Sequence, residues 1–369
     1  MEQRAKQPEG TNSRRSFLGK GLALGAGTLG AAILNNSLAL NDVSAASGNG
    51  ITRGDVAILK FLAAVELIEA DLWNQYAVMA VNNPDYNAAL TAVDDSSPRY
   101  AQDTTDDENS HHMLINAFLK AIGEEPVNFD GFRTIHSPVV PGATSTPNLT
   151  NLTDLTVDTS WYPRYRSNQN PDFGADFDQL VTIKNRPEIP TATGITGDAM
   201  QAIADAALFH FVTIEQGGAS LYPTLALKVT NVDVLRILVS IGPVEAFHFS
   251  TFEGSLESLP PLSVPATATS LAMVFPDLKD NHTETPDNLD SAGVMPDPCA
   301  FLRHDLPECS VVRPTSTAKA GALAAATALT NSGLFKGQTQ GFHKKLFDLA
   351  NAADRAQRNG NEGDQQGQH

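Results

Sequence analysis

Four short stretches carry acid and imidazole groups in a repeated order, and they restrict the possible fold more than any other feature of the chain. The first pair is Glu69, in ELIEADLWNQY, followed by Glu108 and His111, in DDENSHH. The second is Glu215, in IEQGGASLY, followed by Glu245 and His248, in GPVEAFHFSTF. Each lone Glu has a Tyr seven residues on, Tyr76 and Tyr222. Glu at i and His at i+3 share one helix face, so each Glu-x-x-His can present a carboxylate and an imidazole to the same neighbour. One such motif is common by chance. Two, each preceded by a Glu on a helix of its own, are what a four-helix bundle uses to hold two metal ions. The expected fold class is therefore all-α.

Hydrophobic periodicity supports four helices and selects among the candidate ligands. Over 52–81 the residues Ile58, Leu62, Val65, Leu72 and Tyr76 recur at three- and four-residue spacing, the core-facing edge of an amphipathic helix. Glu69 lies on that stripe, whereas Glu66 lies about 60° round the wheel. A carboxylate inside an apolar seam is costly unless paired or metal-bound, which ranks Glu69 ahead of Glu66. Asn82, Asn83 and Pro84 should stop this helix. A second helix is expected over 98–122, where Ile115, Phe118 and Ile122 extend the stripe back to His111 and Glu108 and leave His112 outside it. In the third, 197–228, Leu208, Phe211, Val212, Ala219 and Tyr222 bring Glu215 into line, and His210, on another face, reads as structural. Gly217 and Gly218 weaken that helix but permit a close approach, and Pro223 should kink it. In the fourth, 231–257, Asn231 caps the start, Pro243 should loosen the backbone, and Glu245 and His248 fall on the seam of Leu238, Ile241, Phe252 and Leu256.

Between the helix pairs, 126–195 is rich in Pro, Thr, Asn and Gly, has no helical period and carries the aromatic clump Trp161-Tyr162-Pro163-Arg164-Tyr165. An insertion this long should pack over one face or end of the bundle. The segment 258–358 begins Pro-rich and closes with two Ala-bearing helices, expected over 318–330 and 340–358, and 359–369 reads as a disordered tail. Cys299 and Cys309, with nine residues between them in a Pro-rich stretch, suit a loop disulfide better than a metal site.

The N-terminus reads as a targeting segment. Ser13-Arg14-Arg15-Ser16-Phe17-Leu18-Gly19-Lys20 resembles a twin-arginine export motif. The apolar run over 21–34 that follows is short for a membrane span of roughly 20 residues, and small residues offer cleavage sites after Ala39 or near Ala45–Ala46. Residues 1–46 are thus expected to be a signal peptide, and the protein periplasmic or extracellular. Net charge is −17 overall and near −19 without those residues, which argues against nucleic acid or anionic lipid as a partner.

The paired motifs, with Arg313-Pro-Thr-Ser-Thr-Ala-Lys-Ala-Gly-Ala and Gly333-Leu-Phe-Lys-Gly-Gln near the C-terminus, resemble the ferritin-like superfamily, in particular its exported bacterial and desiccation-related branch. The resemblance covers 52–122 and 196–257. It implies a ferritin-like four-helix bundle with a long irregular crossover and extra C-terminal helices. It also implies terminal carboxylates from Glu69 and Glu215, bridging ones from Glu108 and Glu245, and one imidazole per metal from His111 and His248. Hard oxygen donors with two imidazoles suit two divalent ions, iron ahead of manganese. The expected partners are those ions and O₂, peroxide or Fe²⁺, with Tyr76 or Tyr222 as a nearby hydrogen-bond or electron donor. No pair of redox cysteines supplies an electron relay. Oxidase, ferroxidase or catalase-like turnover and a non-catalytic role in oxidative or desiccation stress both remain open.

Overall fold

The structure is a computed structural model that describes residues 50–162, 173–174, 177–266, 271–278, 295–297, 305, 307, 309–311 and 320–358. The export motif, the 359–369 tail and Cys299 lie outside the described residues, so the signal-peptide, tail and disulfide expectations have no structural counterpart here.

Seven helices occur among the described residues: α1 (Arg53–Asn82), α2 (Pro84–Val93), α3 (Ser97–Ala121), α4 (Asp198–Ala226), α5 (Val232–Leu256), α6 (Ala322–Asn331) and α7 (Gln340–Asp354). α1 packs along α3 and α4 along α5, α3 also meets α5, and α7 lies on α1. This is an all-α bundle whose two helix pairs are joined by one long crossover. None of these helices is long and apolar enough to cross a membrane.

Local chemistry explains most boundaries. Thr52 accepts from the Asp55 backbone N–H, while the Asp55 carboxylate takes the Thr52 N–H, a reciprocal cap that opens α1. The other Asp55 oxygen accepts from Thr230 N at 2.8 Å, so the same side chain ties the α4–α5 turn to the start of α1. Asn231 then caps α5 through Asp233 N and Val234 N. Asn83 and Pro84 do end α1, but they also start α2, because Asn83 accepts from Tyr86 N and Pro84 fits the first turn of a helix. That short helix goes unread in the sequence because a helix stop and an N-cap use the same residues. Pro223 falls within the last turn of α4, and α5 runs through Pro243.

An aromatic cluster joins the four long helices: Trp73 and Tyr76 of α1, Tyr100 of α3, Phe211 of α4 and Phe252 of α5. Trp73 stacks on Phe252 at 5.1 Å and tilts onto Phe211 at 4.8 Å. Trp73 and Phe211 are fully buried.

The insertion is anchored to the bundle through one buried acid. Asp71 of α1 accepts from Leu149 N at 2.9 Å, Thr150 N at 3.0 Å and Thr150 Oγ1 at 2.7 Å, and pairs with Arg133. Beyond it, β1 (Leu155–Val157) and β2 (Ile183–Arg186) form an antiparallel ribbon that lies on α4. Trp161 is fully buried and meets Phe249 of α5 edge-on, and Tyr162 is buried beside it. These two aromatics therefore pack the insertion onto the bundle. After α5, β3 (Leu262–Val264) pairs with β4 (Met273–Phe275), and β5 (Met295–Asp297) with β6 (Cys309–Val311).

Candidate metal centre

About two turns from the aromatic cluster along α1, the core turns polar. Two overlapping groups of buried donors face each other across the four helices. One is Glu66, Glu108, His111 and Glu245; the other is Glu108, Glu215, Glu245 and His248. Within each group the donor atoms all lie within 4.8 Å of one another. Glu108 of α3 and Glu245 of α5 belong to both.

His111 Nδ1 lies 3.0 Å from Glu108 Oε2, 3.1 Å from Glu66 Oε2 and 3.5 Å from Glu245 Oε1. His248 Nδ1 lies 3.1 Å from Glu108 Oε1 and 3.2 Å from Glu215 Oε2, while its Nε2 faces Asp107 Oδ2 at 3.1 Å. Tyr222 donates to Glu66 Oε1. Small residues make this density possible. A Cβ at Gly218 would stand 2.4 Å from Glu245 Oε2, and one at Gly242 2.7 Å from Tyr222 Cβ. The Gly217-Gly218 step of α4 thus admits the Glu245 carboxylate, and Gly242 admits the tyrosine.

The structure thus brings together Glu108, His111, Glu215, Glu245, His248 and Tyr222, and it adds Glu66 of α1. The α1 member of the donor groups is Glu66, while Glu69, three residues on, lies close enough to feel the charges of Glu66, Glu108 and Glu215. The apolar stripe cannot separate them, because α1 is buried on most of its circumference and both faces look like core. What places Glu66 is tertiary: His111 and Tyr222 converge on it. Glu69 is half-buried and lines a neighbouring cavity. Tyr76 is likewise outside the cluster, with its hydroxyl 2.6 Å from His210 Nδ1. Asp107 is the residue the sequence reading missed. Its only signal was its place beside Glu108, on a face turned from the α3 seam. His112 stays near Asn109, consistent with a residue off the site.

The electrostatics follow from burial. Burial depresses an imidazole, but here carboxylates win. Hydrogen bonds to Glu108 and Glu66 push His111 up to about 10, and the Glu215 charge with hydrogen bonds to Asp107 and Glu108 pushes His248 up to about 12. Burial and the Glu66 charge raise Glu108 to about 8. Burial and the surrounding carboxylates also raise Glu245, Glu215 and Glu69, whereas hydrogen bonds from His111 outweigh burial at Glu66 and hold it low. In metal-free protein the cluster is therefore a set of imidazolium ions and partly protonated acids.

Several acceptors still lack donors. Glu245 Oε1 and Oε2 and Glu215 Oε1 are buried with no hydrogen-bond partner among the described residues. Lone buried carboxylate oxygens aimed at one centre, with an imidazole on each side, are the donor set that divalent cations satisfy. The Asp107 contact fits as well, since a metal-binding histidine usually holds its second nitrogen on a carboxylate. A cleft of about 270 Å³ between α3 and α5, lined by Asp103, Asp107 and Phe247, reaches His248 from outside.

Residues 54–258, more than half of the chain, match the family described as Ferritin-like domain. The chain belongs to this family. No match was found among curated proteins or solved structures. The matched span of this ferritin-like chain includes every member of both donor groups and the whole crossover.

Proposed function

We propose that this ferritin-like protein is exported and holds two divalent metal ions, iron ahead of manganese, at which it handles O₂, peroxide or Fe²⁺ under oxidative or desiccation stress. The observation that carries the proposal is the pair of donor groups sharing Glu108 and Glu245. Two ions bound there would supply Lewis acidity and paired one-electron steps to a small oxygen species. The chain's own residues set the stage for that chemistry. Glu66 and Glu215 each close one side, Glu108 and Glu245 face both positions, and His111 and His248 complete one donor set each. Tyr222 fixes the Glu66 carboxylate by donating to it, and Asp107 holds the His248 ring through Nε2. The export part of the proposal rests on the Ser13–Lys20 motif and the apolar run behind it.

Elemental analysis of the protein purified after native export tests the proposal. About two metal ions per chain are expected, and Glu108→Ala with Glu245→Ala should abolish loading; unchanged metal content in that double variant would refute the site. A second reading, metal binding without turnover, draws on the way the imidazolium ions already pair with the carboxylates at 3.0–3.2 Å. Peroxide clearance or Fe²⁺ oxidation by the loaded protein at appreciable rates would count against that second reading.

A further inference from the structure

Glu69, which belongs to neither donor group, and His210, which holds the Tyr76 hydroxyl, line the same neighbouring space. A cavity of about 80 Å³ lies between α1, α4, α6 and the insertion. Its walls include Val65, Ile214, Leu221 and Leu329, and the ionisable side chains Glu69, His210 and Asp158 line it as well. Gly218, which lines the cavity, is also the residue against which Glu245 packs, so this space borders the metal cluster. The insertion and α6 roof it through Val157, Phe173 and Leu329.

His210 has a defined hydrogen-bonding state. The ring is almost fully buried, and burial drives its pKa down to about 3, so it is neutral. Burial also holds the Tyr76 hydroxyl well above its ordinary value, so it keeps its proton. Among the described residues that hydroxyl has no acceptor other than His210 Nδ1, at 2.6 Å. Tyr76 therefore donates to Nδ1, and the imidazole carries its proton on Nε2. A donor N–H is thus what His210 offers to the cavity it lines.

Size and polarity then select the occupant. A water needs about 10–15 Å³ of such space, so the cavity takes a few heavy atoms and excludes organic substrates. The nearby carboxylates disfavour anions, and O₂ makes little use of a hydrogen-bond donor. We propose that this cavity is a holding site for hydrogen peroxide beside the metal centre, with His210 donating to one peroxide oxygen and Glu69 engaging the other. The proposal deepens the di-metal reading and rests on it for its purpose, although the cavity is tested without turnover.

The test uses the full chain loaded with zinc, which is redox-inert, and labelled with ¹⁵N. Hydrogen peroxide is titrated while the His210 ring resonances are followed. A saturable shift of the Nε2–H signal is expected in the wild type, and its loss in Ala328→Leu, which fills the cavity from α6. Tyr76→Phe, which frees Nδ1, should weaken the response and spare the fold. An unmoved His210 signal in the wild type overturns the proposal, as does an equal shift in Ala328→Leu. Zinc content of the same samples separates the two ideas: absent zinc sinks the metal centre, while the peroxide titration still reads the cavity.

Discussion

Substituting Glu66 and Glu69 separately, each by Gln, distinguishes the tertiary assignment from the one the helical seam suggests. Gln keeps the size and removes the charge. Glu66→Gln takes the α1 donor out of the group formed with Glu108, His111 and Glu245, so metal content should fall from about two ions per chain toward one. Its effect on the metal-free fold is bounded by its contacts. Glu66 lies 3.1 Å from His111 and accepts from Tyr222, and breaking a buried charge pair outright costs about 3–5 kcal/mol. His111 keeps Glu108 at 3.0 Å, however, so the loss should be nearer that of one charge-assisted hydrogen bond, about 1–3 kcal/mol. Glu69→Gln should leave both ions in place. It should be neutral or stabilising in the metal-free protein, because burial and the neighbouring carboxylates already push that acid toward its protonated form. Elemental analysis after metal reconstitution, with thermal unfolding of the metal-free variants, reads both quantities. Metal loss in Glu69→Gln with full loading in Glu66→Gln would refute the assignment.

Two further outcomes follow from the same geometry. His111, held up to about 10, and His248, up to about 12, are both protonated at neutral pH and must be neutral to ligate, so loading should release at least two protons per chain, measurable by pH-stat or by calorimetry in buffers of different ionisation enthalpy. Because Glu108 and both imidazoles have folded pKa values above their unfolded ones, the stability they provide is full at low pH and is lost as pH rises from about 4.5 toward 12; metal-free protein should melt at progressively lower temperature across that window, and a rising melting temperature would contradict the charge assignment. Gly218→Ala should split two properties: the new Cβ stands 2.4 Å from Glu245 Oε2 and displaces that carboxylate, lowering metal affinity by about 10–100-fold, while the better helix former raises metal-free stability by up to ~1 kcal/mol. Unchanged affinity in a metal titration would show that Glu245 is not held where the structure places it.

How much of the molecule was legible beforehand depended on whether the information was local. Helix ends were readable where capping chemistry sits in adjacent residues, as at Thr52 with Asp55 and at Asn231, because a cap is an interaction over three residues. Glu108 with His111, and Glu245 with His248, were readable because spacing on a rigid helix fixes their shared face. The buried insertion was readable only as something that must pack somewhere. Its anchor, Asp71 beneath Leu149, Thr150 and Arg133, joins residues more than sixty positions apart and leaves no periodic trace.

The repeated Glu and Glu-x-x-His order by itself determined an all-α bundle with a polar, acid-rich layer, since few other arrangements satisfy so many carboxylates in a core. It could not determine which α1 carboxylate enters that layer. Glu66 and Glu69 differ by one turn's edge on a helix buried nearly all round, so hydrophobic pattern treats them alike. The choice was made by side chains from other helices: His111 and Tyr222 reach Glu66, Gly218 makes room for Glu245, and Asp107 turns the His248 ring. Those contacts exist only once four helices are packed, and for that reason the membership of the site was decided by the tertiary structure.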